Sequence, residues 1–149
     1  MRNLISLVVV LAMGVAASGA TLEWVGANGT ALPWENASNW VNYPAGGNQV
    51  PTDVDNARLY NALSGYNFTN SNVTVSSTTA ICQKLQMKYL ATKLTILTGG
   101  KLTSTSSVEM RQGNSSQLDI QQGATFDSCT RSNIALGTFY LSSDSAAHG

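Results

Sequence analysis

Leu94-Thr-Ile96-Leu-Thr-Gly99-Gly-Lys-Leu102-Thr-Ser104 lines up without a gap on Leu118-Asp-Ile120-Gln-Gln-Gly123-Ala-Thr-Phe126-Asp-Ser128, at an offset of 24 residues. The shared pattern is L-x-I-x-x-G-[GA]-x-[LF]-x-S. Alternating aliphatics mark a strand with one buried face, and the glycine that follows permits the positive φ of a tight corner. A fixed period of this length is the mark of strand–turn–strand units stacked on one another.

The same rhythm extends outward from this pair. Val73-Thr-Val75, Leu85-Gln-Met87, Val108-Glu-Met110 and Ile134-Ala-Leu136 alternate at period 2, and Gly113 and Gly137 repeat the corner signal. The pattern predicts an all-β fold: a right-handed parallel β-helix (β-solenoid) with a Trp-rich N-terminal cap. A β-sandwich is the alternative, because regularly spaced short strands fit it too.

Composition points the same way. Charged residues are 11% of the 149 and the formal net charge is zero. Ser, Thr, Asn and Gly fill the space that Glu, Lys, Arg and Ala would occupy in a helical bundle. A neutral chain with scattered charges lacks the electrostatic footprint of a nucleic-acid binder.

Residues 1–20 read as a signal peptide. Arg2 supplies the positive start, Leu4 to Ala17 the apolar run, and Ser18-Gly19-Ala20 the small residues before a cut, placed after Ala20. The run falls short of the roughly 20 apolar residues that span a bilayer, and no membrane span is expected after cleavage. Residues 21–71 form the N-terminal cap and lead-in segment, with Trp24, Trp34 and Trp40 close together. Residues 72–149 carry the stacked strands and are expected to be truncated at the C-terminus, as part of a longer protein, because Phe139-Tyr-Leu141 reads as the start of a further strand.

Export permits a disulfide between Cys82 and Cys129. They lie 47 residues apart, close to two periods. Two layers of strands at about 4.8 Å would part them by roughly 10 Å, beyond the roughly 7 Å that a disulfide tolerates. Free, packed thiols are expected.

Trp24-Val-Gly26, the Trp34 to Asn39-Trp40 pair, Pro51 to Asp55, Val73-Thr-Val75 and the stretch from Leu94 to Leu102 together resemble the repetitive β-helical surface proteins secreted by planctomycete-like bacteria. Those proteins often carry sorting signals or autotransporter-associated β-strand repeats. The resemblance implies a secreted or cell-surface structural or adhesive role without catalysis, and an extracellular or cell-surface polysaccharide as partner.

Site candidates are few. Trp24, Trp34 and Trp40, with Tyr43 nearby, could make an aromatic platform for sugar rings, or could plug the open end of the fold. Asp53 and Asp55 flank Val54 and could offer oxygens to Ca²⁺, or could cap a turn before a strand. Glu109 and Asp119 could be paired carboxylates of a polysaccharide-degrading enzyme; Arg111 stands ready to neutralise Glu109. Lys84, Lys88 and Lys93 read as a solvated face. His148, the sole histidine, is next to the last residue, a poor place for a fixed general base. No zinc set or Ser-His-Asp arrangement can be assembled from one histidine. The five Asn-x-Ser/Thr sequons, beginning with Asn28-Gly-Thr30, are expected by chance in so polar a chain. The expected function is therefore a secreted or surface structural or adhesive element that is no enzyme and needs no cofactor. A carbohydrate-binding module, or the N-terminal part of a polysaccharide-degrading enzyme, is the alternative.

Overall fold

The computed structural model describes residues 19–27, 29–59, 71–88, 92–111, 116–128, 131–134, 138–141 and 146–148. Strands β1 (Thr21–Trp24), β2 (Ala31–Pro33), β3 (Trp40–Tyr43) and β4 (Asn56–Arg58) lie in the N-terminal third, with a 3-10 turn over Ala37–Asn39. They are followed by β5 (Asn72–Val75), β6 (Ala80–Lys88), β7 (Lys93–Ile96), β8 (Lys101–Arg111) and β9 (Gln117–Ile120). The last four are β10 (Thr125–Ser128), β11 (Arg131–Ile134), β12 (Thr138–Leu141) and β13 (Ala146–His148).

These strands form two sheets. The larger runs β13-β10-β8-β6-β4-β1-β3, with β11 also on β8; the smaller runs β12-β9-β7-β5-β2. Among the described residues all the pairings are parallel except one: β3 turns back antiparallel on β1, Trp24 opposite Trp40. The all-β expectation holds, but the right-handed parallel β-helix does not. A mixed sheet and a smaller parallel sheet enclose a common core, an arrangement nearer to the sandwich alternative.

Part of the reason lies in β6 and β8. In the sequence Leu102-Thr-Ser104 closes the repeat motif and Val108-Glu-Met110 alternates on its own, with the stretch Thr105-Ser-Ser107 between them. Pairing continues through that stretch, with Cys82 opposite Ser104 and Lys84 opposite Ser107. Two residues, Thr105 and Ser106, thus face one, Gln83, which is a β-bulge rather than a corner. Ser104 Oγ lies within hydrogen-bond reach of the carbonyls of Ser107 (2.9 Å) and Gln83 (3.3 Å), across the irregularity.

The 24-residue offset reappears as register. Leu94 and Ile96 of β7 face Leu118 and Ile120 of β9, and Leu102 of β8 faces Phe126 of β10. The turns between them match as well. Gly99 and Gly123 have φ of 76° and 72°, and Gly100 N–H and Ala124 N–H donate back to Leu97 O and Gln121 O. Only glycine adopts such a φ at little cost.

The core collects one side of each sheet. Leu22, Ala57, Leu85 and Val108 stack across the larger sheet, while Val73, Leu94 and Leu118 do so across the smaller; all are buried. Each such aliphatic contributes about 1.5–3 kcal/mol of burial. No strand of four residues could shield these groups alone, so stability comes from stacking neighbours.

Candidate functional site

The three tryptophans belong to the core. Trp34 and Trp40 are fully buried and Trp24 is 1% exposed. Trp40 meets both partners edge to face, with centroids 5.0 Å from Trp24 and 4.7 Å from Trp34. Its indole N–H donates to the Trp34 carbonyl at 2.8 Å. Gly26 backs onto the Trp24 ring, where a Cβ would approach within 2.7 Å. The Trp34 loop is tied down by its neighbour: Glu35 Oε1 accepts from Ser76 N–H and Ser77 N–H at 2.8 and 2.6 Å. These rings therefore form no exposed strip for a sugar to stack on. Tyr43 is the exposed aromatic of the group, at 47%.

Asp53 and Asp55 part company. Asp53 faces solvent, and Asp55 is buried. The Asp55 carboxylate accepts from Thr52 N–H (2.9 Å), Thr52 Oγ1 (2.6 Å), Ala20 N–H (2.8 Å) and Gln49 Nε2 (3.4 Å). Asp55 N–H in turn donates to Thr52 O. This is the turn cap that leads into β4, and its acceptors are occupied by protein donors. Among the described residues no three His, Cys, Asp or Glu side chains gather as a metal centre would need.

Glu109 and Asp119 lie on different sheets, in β8 and β9. Lys84 pairs with Glu109 at 2.5 Å, and Lys93 with Asp119 at 3.4 Å. The two carboxylates are thus each tied to a cation and do not share a sheet face. His148 falls in β13, its backbone in register with Asp127. Cys82 is free and buried; Cys129, residues 1–18, Gly113 and Gly137 lie outside the described residues.

A different constellation emerges on the larger sheet. Glu23, Arg58, Gln86 and Glu109 occupy successive strands β1, β4, β6 and β8 in direct register, and the backbone of Asn133 continues the row on β11. Arg58 Nη1 meets Glu23 Oε1 at 3.2 Å and Arg58 Nε donates to Gln86 Oε1 at 3.1 Å. Gln86 Nε2 donates to Glu109 Oε2 at 3.0 Å. The side chains of Arg58, Lys84 and Glu109 are 30%, 29% and 16% exposed, whereas that of Glu23 is sealed in. Glu23 Oε2 has no hydrogen-bond partner among the described residues.

Sequence reasoning singled out Glu109 and Lys84 separately and missed the row. Its signal was present in four triplets, Leu22-Glu23-Trp24, Ala57-Arg58-Leu59, Leu85-Gln86-Met87 and Val108-Glu109-Met110. Each is a polar residue between two inward apolar ones. Their unequal spacing, across loops of different length, hid the alignment that pairing reveals.

No protein-family profile, curated protein or solved structure matches the chain. Among the described residues no helix is long and apolar enough to cross a membrane.

Proposed function

We propose that the protein is an exported, non-catalytic carbohydrate-binding β-module whose recognition surface is the accessible part of the polar row of the larger sheet, Arg58 and Glu109 with the neighbouring Lys84, held in place by the buried Glu23 and Gln86. The observation that carries this reading is the in-register series Glu23, Arg58, Gln86 and Glu109, flanked by Lys84. Strands stand about 4.8 Å apart, close to the advance per sugar unit along an extended polysaccharide. The guanidinium of Arg58 and the carboxylate of Glu109 are planar donor and acceptor groups suited to vicinal hydroxyls. A net charge of zero favours a neutral polymer over a polyanion. Export rests on Arg2 and the apolar run to Ala17, and the resemblance to secreted bacterial surface proteins supports the same address.

Binding is tested with a polysaccharide panel, by affinity gel electrophoresis or a glycan array. Retention of the native chain by at least one neutral polymer is expected. Arg58→Ala with Gln86→Ala is expected to weaken it about tenfold or more, equivalent to about 1.4 kcal/mol, with an unchanged folded spectrum. No retention by any polymer, or equal retention by the double variant, would overturn the proposal.

The mutual pairing of the row favours a second reading, a purely structural or adhesive element in which these contacts hold neighbouring strands together. On that reading Arg58→Ala lowers the melting temperature and changes no binding.

A further inference from the structure

Several cuts satisfy the small-residue rule of a signal peptidase, among them after Ala20, with Ser18 and Ala20 at the key positions, after Gly19, with Ala17 and Gly19 there, and after Ser18, with Ala16 and Ser18 there. We infer that the bond cut is Gly19–Ala20, and that the new α-ammonium of Ala20 docks on the buried carboxylate of Asp55. This rests on the export reading and is independent of carbohydrate binding.

Ala20 is part of the folded domain. Its N–H donates to Asp55 Oδ1 at 2.8 Å, and its carbonyl accepts from Asn56 N–H at 2.8 Å. Its methyl group packs against the core. A cut after Ala20 would strip both partners from Asp55 and Asn56 at the first rung of the β1–β4 pairing, where Thr21 faces Asn56. Unmade bonds of buried groups are costly. Gly19, by contrast, is wedged so closely that a Cβ there would overlap the Val54 carbonyl oxygen. Removing Gly19 leaves both backbone hydrogen bonds of Ala20 in place.

Charge completes the argument. Asp55 is 3% exposed and, among the described residues, has no Lys or Arg paired with it. Hydrolysis supplies the missing cation. Water adds across the Gly19–Ala20 amide: the C–N bond breaks, the carbonyl carbon takes the oxygen and leaves as the Gly19 carboxylate, and both protons of the water end on the Ala20 nitrogen, turning its N–H into an ammonium. An amide donor 2.8 Å from the carboxylate thereby becomes an ammonium at the same place, a shorter and stronger kind of hydrogen bond. Processing acts on the extended chain during export, so burial of the bond in the folded state is no obstacle to it.

The titratable and charged groups on the elements around Ala20 are Asp53 and Asp55, Glu23 of β1, Tyr43 of β3, Arg58 of β4, and Cys82 and Lys84 of β6. Of these, Asp55 is the one that hydrogen-bonds Ala20. An α-amino group ordinarily titrates near 8. Pairing with Asp55 raises that value, so the ammonium persists to higher pH and its contribution is lost only as pH climbs through the raised value.

The full-length gene is expressed in an exporting bacterium and the product is read by N-terminal sequencing and intact mass. A chain beginning at Ala20 is expected. Acylation of the α-amine by an amine-reactive ester at pH 8, followed by peptide mass analysis, is expected to be about tenfold slower than in the Asp55→Asn product. If Asp55→Asn fails to fold, Asp55→Glu, which displaces the carboxylate, serves as comparison with the same direction expected. A product beginning at Thr21 or at Gly19, or equal acylation rates, would overturn the inference alone. Retention of Met1 would overturn the export reading with it.

Discussion

Among the described residues, Cys82 carries the most heavily perturbed proton. Burial pushes its thiol from an ordinary 9.0 up to about 12, against a lowering contribution from the Ser104 hydrogen bond and with a further push from Asp55. Between those two values the folded chain keeps a proton that the unfolded chain releases. Stability is therefore full below pH 9.0 and falls as pH rises toward about 12. Chemical denaturation across that window is expected to show the loss, and Cys82→Ala to flatten it after its own cavity cost. The native thiol is expected to resist iodoacetamide at pH 8 and to react once unfolded. Trp40 is the second residue whose role is local and strong. Trp40→Ala removes two edge-to-face contacts and the bond to Trp34 O, with an expected cost of about 3–5 kcal/mol in thermal or denaturant unfolding. The tryptophan cluster itself was legible from its density in the chain. Its sealing was not, because a platform and a plug use the same residues and differ only in what packs over them.

At the scale of elements, the repeated turn and the bulge behave differently. Gly99 and Gly123 hold a positive φ with open space around the missing side chain, so Gly99→Ala is expected to cost about 1 kcal/mol through backbone strain alone. Gly100 is crowded instead: a Cβ would stand 2.6 Å from the Val75 carbonyl oxygen. Gly100→Ala should therefore destabilise more than Gly99→Ala, and a reversed order in urea midpoints would contradict the turn geometry. The repeat motif located both turns correctly, since alternation and glycine are local signals. The bulge in β6 and β8 was invisible. Nothing in Ser104-Thr-Ser-Ser107 distinguishes a corner from a strand that absorbs one extra residue, and the choice is made by pairing with a partner 22 or 23 residues away.

At the scale of the whole molecule, two sheets share one core, and the polar side of the larger sheet is organised as a continuous row. All-β character, inward aliphatics and the 24-residue register were readable from period-2 alternation. The sheet order, the antiparallel return of β3 and the Glu23–Arg58–Gln86–Glu109 alignment were not, because each depends on contacts between segments far apart in sequence. On the proposed function this row, and not the tryptophan cluster, meets the carbohydrate. This is tested most directly by NMR titration of the protein with a soluble oligosaccharide from the polymer that retains it. The account predicts that Arg58 Nε–H and Gln86 side-chain amide signals shift saturably while the three indole N–H signals stay in place. Movement of the indole signals with Arg58 and Gln86 unmoved would contradict it.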